Sequence, residues 1–149
     1  MAARAQLLAV LAAFAGFAFL LHFVWEMLQS PLYTNLRGAS HEEAVWICTR
    51  AALGDVGIGL AAYAAGALAQ RDRVWIVHPR ARGWLAYLLA GVATTLVLEY
   101  LGTGSLQRWM YDPNMLTLPL LGTGLSPLLQ WLLVPPLGAW LTRRHSRHH

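Results

Sequence analysis

Residues 5–28 read AQLLAVLAAFAGFAFLLHFVWEML, twenty-four positions with one carboxylate and no lysine or arginine. At about 1.5 Å of rise per residue, roughly 20 apolar residues cross about 30 Å of hydrocarbon, so this run is long enough to span a bilayer. Arg4 ahead of it and its small residues also fit a secretory signal. The run is longer than the core of such a signal, however, and three more apolar runs follow, near 44–69, 83–101 and 118–141. The expectation is an all-α fold: one transmembrane domain over residues 1–149, an integral membrane four-helix bundle with spans at about 5–28, 44–69, 83–101 and 118–141.

Composition agrees. The chain has 149 residues, 57% of them hydrophobic and only 12% charged, against roughly 25% charged in soluble domains. That excludes a disordered chain and an ordinary water-soluble one, and the length leaves room for one domain. The lone Cys48 excludes a disulfide framework or a thiolate-only metal site and reads as a small buried residue.

All eleven basic residues are arginine and the net charge is +4. They cluster at the ends of apolar runs and not along one polar face, so nucleic-acid binding is not expected. Arg4, Arg71, Arg73, Arg80, Arg82, Arg143, Arg144 and Arg147 flank one side of the spans, and only Arg37 and Arg108 fall in the loops on the other. The bias of arginine toward the cytoplasmic side predicts that both termini are cytoplasmic, in a bacterial inner (plasma) membrane.

Gly54, Gly57, Gly59 and the small residues at 61–69 read as positions where helices approach closely. Pro119, Pro127, Pro135 and Pro136 predict an irregular fourth span that lines a cavity or begins late, since each removes a backbone donor. LGTGSLQRW (101–109) and LGTGLSPLLQW (121–131) form a short local repeat, ascribed to chance or shared helix-entry chemistry. Trp25, Tyr33, Trp46, Trp84, Tyr100, Trp109, Tyr111 and Trp140 sit near span ends, as an interfacial aromatic belt does.

The acids carry the functional signal. Glu42, Glu43, Asp72 and Asp112 fall in loops, but Glu26, Asp55 and Glu99 fall inside spans. An ionisable group there costs at least ~2.5 kcal/mol and normally faces a bundle interior or a wet cavity. His22, Glu26 and Gln29 follow an i, i+4, i+7 pattern and form one stripe. On the second span Cys48, Ala52, Asp55 and Gly59 share a face, and Arg50, about 140° from Asp55 at 100° per residue, is left to snorkel outward or to pair with another helix.

With the amino terminus inside, His22, Glu26, Arg50, Asp55 and Glu99 all fall toward the outer side. Gln130 on the fourth span completes the ring, and the loop GTGSLQRWMYDPNMLTLP (102–119) is placed to cover the outer mouth with Arg108, Trp109, Tyr111 and Asp112. These residues predict one polar pocket with His22, Glu26, Asp55 and Glu99 as its acid–base set. Trp25, Gln29, Arg50, Arg108, Trp109, Tyr111 and Gln130 are its substrate-binding candidates. Each of the four ionisable groups also has a plainer reading, as an interhelical hydrogen bond.

A metal site is an alternative, because His22 and Glu26 supply half of an imidazole–carboxylate set. The sequence has no HExxH, and the tail histidines His145, His148 and His149 have no fixed geometry, so neither a metal nor a cofactor is expected. No GxSxG elbow or phosphate-binding loop is present.

The chain as a whole resembles a family of small four-span bacterial membrane proteins with a Trp–Glu pair in the first span and GTGLSPLLQW in the last, to which no activity is attached. His22 and Glu26 in HFVWEMLQSPLY are similar to the intramembrane His-x-x-x-Glu pattern of the emopamil-binding sterol isomerase superfamily. Trp25–Glu26 is similar to the Trp–Glu motif of membrane-bound terpene cyclases. Those resemblances imply protonation of a lipid or isoprenoid double bond.

The functional expectation is therefore proton-transfer chemistry, isomerase- or cyclase-like, on a hydrophobic, isoprenoid-like lipid. Glu26 would be the acid and His22 its partner, with Asp55 or Glu99 stabilising positive charge. The alternatives are a proton or small-cation carrier, which needs a polar path inward, and a non-enzymatic subunit of a larger membrane complex or homo-oligomer, which needs acids turned outward. Membrane lipids are the expected surroundings in each case.

Overall fold

The computed structural model describes residues 2–119 and 122–147. Among them the chain is all-helical: α1 is Ala2–Gln29, α2 is His41–Gln70, α3 is Ala81–Thr103 and α4 is Leu125–Ser146. Two short 3₁₀ turns, Ser30–Leu32 and Thr34–Leu36, join α1 to α2. Leu120, Leu121, His148 and His149, which the expected fourth span and the histidine tail include, lie outside the described residues.

Local chemistry sets the ends of α2. Ser40 Oγ accepts from the Glu43 amide while the Ser40 amide donates to Glu43 Oε2 at 2.9 Å, a reciprocal cap that satisfies two otherwise free donors. At the far end Arg71 adopts a left-handed conformation and its amide returns to Ala67 and Leu68.

α1 packs against α2 and α4, and α3 packs against the same two helices. Phe14 meets Gly59 whereas His22 meets Asp55, so α2 retreats as α1 advances. The four helices form a ring of antiparallel neighbours. One end carries residues 30–40, 104–119 and 122–124, the other the start of α1, the end of α4 and the loop 71–80.

Three helices, α1, α2 and α3, are long and apolar enough to cross a membrane. α4 is not one of them: its 22 residues include Gln130, Arg143, Arg144 and three prolines. It also starts at Leu125 and not near 118. Ahead of it the Leu118 amide meets Thr123 O at 2.9 Å and the Leu125 amide meets Leu116 O at 2.7 Å, and Gly122 takes a positive φ of 63°, which glycine adopts without strain. The two similar segments serve opposite purposes: Gly104 ends α3, and Gly124 precedes α4.

The partition of side chains is the reverse of a water-soluble protein's. Leu28 and Leu68 are 74% and 79% exposed, while His22 and Gln130 are 1% and 2% exposed. Trp46, Tyr100 and Trp140 stand outward as the belt reading expects, but Tyr33 is buried.

The loop 71–80 is not a surface connection. Trp75, Ile76 and Val77 are buried and join Val10, Phe14 and Tyr87 in the hydrophobic core. Trp75 Nε1 donates to Tyr63 O at 3.1 Å, and Tyr63 Oη donates to Arg73 O at 2.8 Å. Gln70 fastens the loop from below: its Nε2 donates to His78 O and its Oε1 accepts from the Arg80 amide, both at 2.8 Å. A Cβ on Gly66 would come within 2.7 Å of the Trp75 ring, so this glycine leaves the indole its space. By contrast a Cβ on Gly54 or Gly57 would meet nothing within 4 Å. These two are not helix-packing glycines, which corrects the sequence reading; Gly59, against Phe14, is.

Trp75 is 0% exposed, so Trp75→Ala should cost about 3 kcal/mol or more. Unfolding of the purified chain by detergent titration, followed by circular dichroism, measures it. A loss below about 1 kcal/mol would mean that the loop does not plug this end.

Candidate functional site

Three helices deliver one hydrogen-bonded cluster at the end opposite Trp75. The α1 stripe provides His22, Glu26 and Gln29, α2 provides Asp55, and α4 provides Ser126 and Gln130. Gln130 Nε2 lies 2.8 Å from His22 Nδ1, 3.0 Å from Glu26 Oε1 and 3.0 Å from Asp55 Oδ2. His22 Nδ1 is 3.3 Å from Asp55 Oδ2.

The orientation of the two amides follows from one group that can only donate. Trp25 Nε1–H points at Gln29 at 3.2 Å, which requires the Gln29 oxygen there; Ser126 Oγ donates to the same oxygen at 2.8 Å. Gln29 Nε2 then faces Glu26 Oε1 at 2.8 Å and Gln130 Oε1 at 3.3 Å. That leaves the Gln130 nitrogen toward the ionisable groups.

An amide nitrogen has two hydrogens, and three acceptor atoms surround this one. Close contact of His22 Nδ1 with Asp55 Oδ2 needs one further proton between them. If it sits on Nδ1, the amide serves Glu26 and Asp55; if it sits on Asp55, the amide serves Glu26 and Nδ1. The two arrangements differ by one short proton transfer and a swing of one amide hydrogen. The tautomer of His22 decides which two of the three acceptors the amide serves.

Glu99 on α3 forms a second cluster. Its Oε2 accepts from Trp109 Nε1 at 3.3 Å and from the Tyr111 hydroxyl, which in turn accepts from the Gly124 amide at 2.9 Å. Burial, then the bond to Glu99, pushes the Tyr111 hydroxyl above its ordinary pKa, so Tyr111 is a neutral donor. The loop that carries it is fixed to the first loop: the Thr34 amide reaches Met110 O at 3.0 Å, the Asp112 amide reaches Leu32 O at 2.9 Å, and Arg37 Nε pairs with buried Asp112 at 3.0 Å.

Both clusters line one cavity of about 370 Å³. Glu26, Asp55 and Glu99 reach its wall, together with Gln29, Arg50, Arg108, Trp109 and Gln130. His22, Trp25 and Tyr111 stand behind that wall and touch it through Gln130, Gln29 and Glu99. Arg50, expected to snorkel or to pair with a carboxylate, joins the lining without an ion pair among the described residues.

Thr95 and Trp131 also line the cavity and were not among the sequence candidates. Thr95 Oγ1 is buried with no hydrogen-bond partner. Thr49, Thr103 and Thr142 each return their hydroxyl to the carbonyl one turn back, at 2.7, 2.7 and 2.8 Å; Thr95 does not. No sequence pattern separates it from Thr94. Trp131 packs its ring 5.6 Å from that of His22.

Among the described residues no group of three His, Cys, Asp or Glu side chains has an arrangement suited to a metal ion. No family model, curated protein or solved structure matches the chain. The case for a function therefore stands on the geometry.

Gln130→Leu should cost about 1 to 3 kcal/mol, because it strands buried polar groups on two other helices. In a cycle with Asp55→Asn, the double variant should differ from the sum of the singles by about 1 kcal/mol or more. Additive losses would show that the amide does not join the two helices.

Proposed function

We propose that this chain is an integral membrane protein that crosses the bilayer four times, with both termini cytoplasmic in a bacterial inner membrane, and that its cavity performs acid–base chemistry on an isoprenoid-like lipid. Apolar residues cover the outside of the helices and the arginines flank the ends that carry the termini, which supports the first part. The 22 residues of α4 extend about 33 Å, enough for the hydrocarbon, and its Pro127 and Pro135 are buried against protein.

The convergence of His22, Glu26 and Asp55 on one amide at the wall of a cavity carries the second part. Glu26 gives its proton to one carbon of a substrate double bond, and a tertiary cation forms at the other. Asp55, in side-chain contact with Glu26, resupplies it directly, and His22 resupplies Asp55 across 3.3 Å. Return of a proton from a neighbouring carbon to this same carboxylate–imidazole set completes an isomerisation with no atom gained, while attack by a second double bond, followed by the same proton return, gives a ring. Glu99 and Asp55 favour the cation electrostatically, and the faces of Trp131 and Trp109 add cation–π attraction. The unpartnered Thr95 hydroxyl supports a site that expects a ligand.

A carrier needs a polar route through the other half of the bundle. There Phe14, Tyr63, Trp75 and Tyr87 pack ring on ring at 5.4 to 6.2 Å, which disfavours one. A subunit reading needs acids facing outward, and Glu26, Asp55 and Glu99 line the cavity instead.

Alkaline phosphatase, active only outside the cytoplasm, tests the topology: a fusion at Ser105 should be active and one at Arg147 inactive. Activity at both positions would reduce the spans to three. The chemistry is tested by lipid extraction with chromatography and mass spectrometry from cells carrying wild type or Glu26→Gln. Removing a general acid lowers turnover about 10² to 10⁴-fold, so one lipid species should fall and an isomer of equal mass should accumulate. An identical profile would dismiss the proposed reaction.

A further inference from the structure

Two cations in the cavity wall have no part in proton transfer. Arg50 and Arg108 are both exposed, both line the cavity, and neither makes an ion pair among the described residues. The four-span reading gives Arg50 a depth. Thirty residues of α2 extend about 45 Å, roughly 15 Å more than the hydrocarbon, so with the helix centred the tenth residue lies about 6 Å inside the boundary. An arginine stem covers that distance and brings the guanidinium to the level of lipid headgroups. Arg108 approaches the same mouth from the loop above.

An open slot leads away from these two groups. Ile47, Ala51, Gly54 and Ile58 recur at i, i+4, i+7 and i+11 on α2, line the cavity, and face Leu98 of α3 in the same lining. A Cβ at Gly54 would meet no atom within 4 Å, so the slot is empty at its middle. Charge then fixes the direction of an occupant. Asp55 lies five residues deeper than Arg50 and repels an anion, while the arginine forks match phosphate oxygens. An anionic group belongs at the mouth, and a hydrocarbon chain belongs in the slot.

We propose that the cavity takes an amphiphile with a phosphate-type headgroup, held by Arg50 and Arg108, whose chain lies between α2 and α3 and passes the carboxylates. This rests on the membrane pocket of the preceding section and names its ligand class. The volume of about 370 Å³ is within the range of small-ligand sites.

The test is a binding titration of the full chain in maltoside micelles, read by tryptophan fluorescence, since Trp109 and Trp131 line the cavity. The probes are dodecyl phosphate, dodecanol, dodecyltrimethylammonium and inorganic phosphate. Dodecyl phosphate should saturate the signal at the lowest concentration. Arg50→Gln, Arg108→Gln and Gly54→Leu should each weaken it about tenfold or more, and Arg50→Lys should recover part of the Arg50→Gln loss at an unchanged unfolding temperature.

Equal binding of dodecanol or the ammonium probe would overturn the anionic headgroup. Inorganic phosphate competing as well as dodecyl phosphate would overturn the chain in the slot and leave a simple anion site. Arginine-dependent binding together with a lipid profile indifferent to Glu26→Gln would retire the proton-transfer reading alone. A profile that responds to Glu26→Gln while binding ignores headgroup charge would retire this inference alone.

Discussion

A primary amide can give two hydrogens and no more, and Gln130 is where acceptors from two other helices compete for them. Its nitrogen contacts groups from α1 and α2, and its oxygen takes the Gln29 amide. Because the indole of Trp25 can only donate, it orients Gln29, and Gln29 orients Gln130. One fixed donor at the edge therefore decides the polarity of a network that reaches the centre of the bundle. Networks of this kind are costly when half satisfied, which ties the positions of α1, α2 and α4 to one another more tightly than apolar contacts do.

The other half of the molecule solves a different problem. In the bilayer proposed for it, with apolar side chains outside and inside, contact between helices would have little to gain from excluding water and would come from close packing. Trp75 supplies it. A loop that reenters the bundle brings a large flat ring to the point where α1, α2 and α3 meet, and Gly66 makes room for it. The aromatic end is closed and rigid, so α2 and α3 need not pack closely at the other end, where Gly54 faces open space. The cavity exists because the seal is elsewhere.

Most of this was legible in the chain because few forces act on a long apolar helix. Length and hydropathy located α1, α2 and α3, and the 3.6-residue period placed His22, Glu26 and Gln29 on one stripe and Cys48, Ala52, Asp55 and Gly59 on another. Periodicity has nothing to say about loops. VWIV at 74–77 is as hydrophobic as a helix segment, yet its insertion depends on Gln70, Tyr63 and Gly66, which share no pattern with it. The stretch ahead of α4 looked helical because it is apolar, but Leu118 bonds back to Thr123 and Gly122 takes a positive φ, so the helix begins only at Leu125. Gly54 and Gly57 misled for a related reason: a glycine records that a side chain is absent, not what fills the space.

The charges at the cavity follow an order that neither half of the bundle requires for folding. Two guanidinium groups and three carboxylates line one cavity, with Asp55 five residues deeper on α2 than Arg50, and packed aromatic rings fill the half beyond. For packing, the arginines and acids would be better matched as ion pairs, as Arg37 and Asp112 are a short distance away. Keeping them unpaired gives up that attraction. An arrangement that separates opposite charges along a slot, instead of joining them, makes sense when something with its own charge distribution lies between. The unbonded hydroxyl of Thr95, in a chain where Thr49, Thr103 and Thr142 close on their own backbone, points the same way, toward the ligand proposed for the cavity.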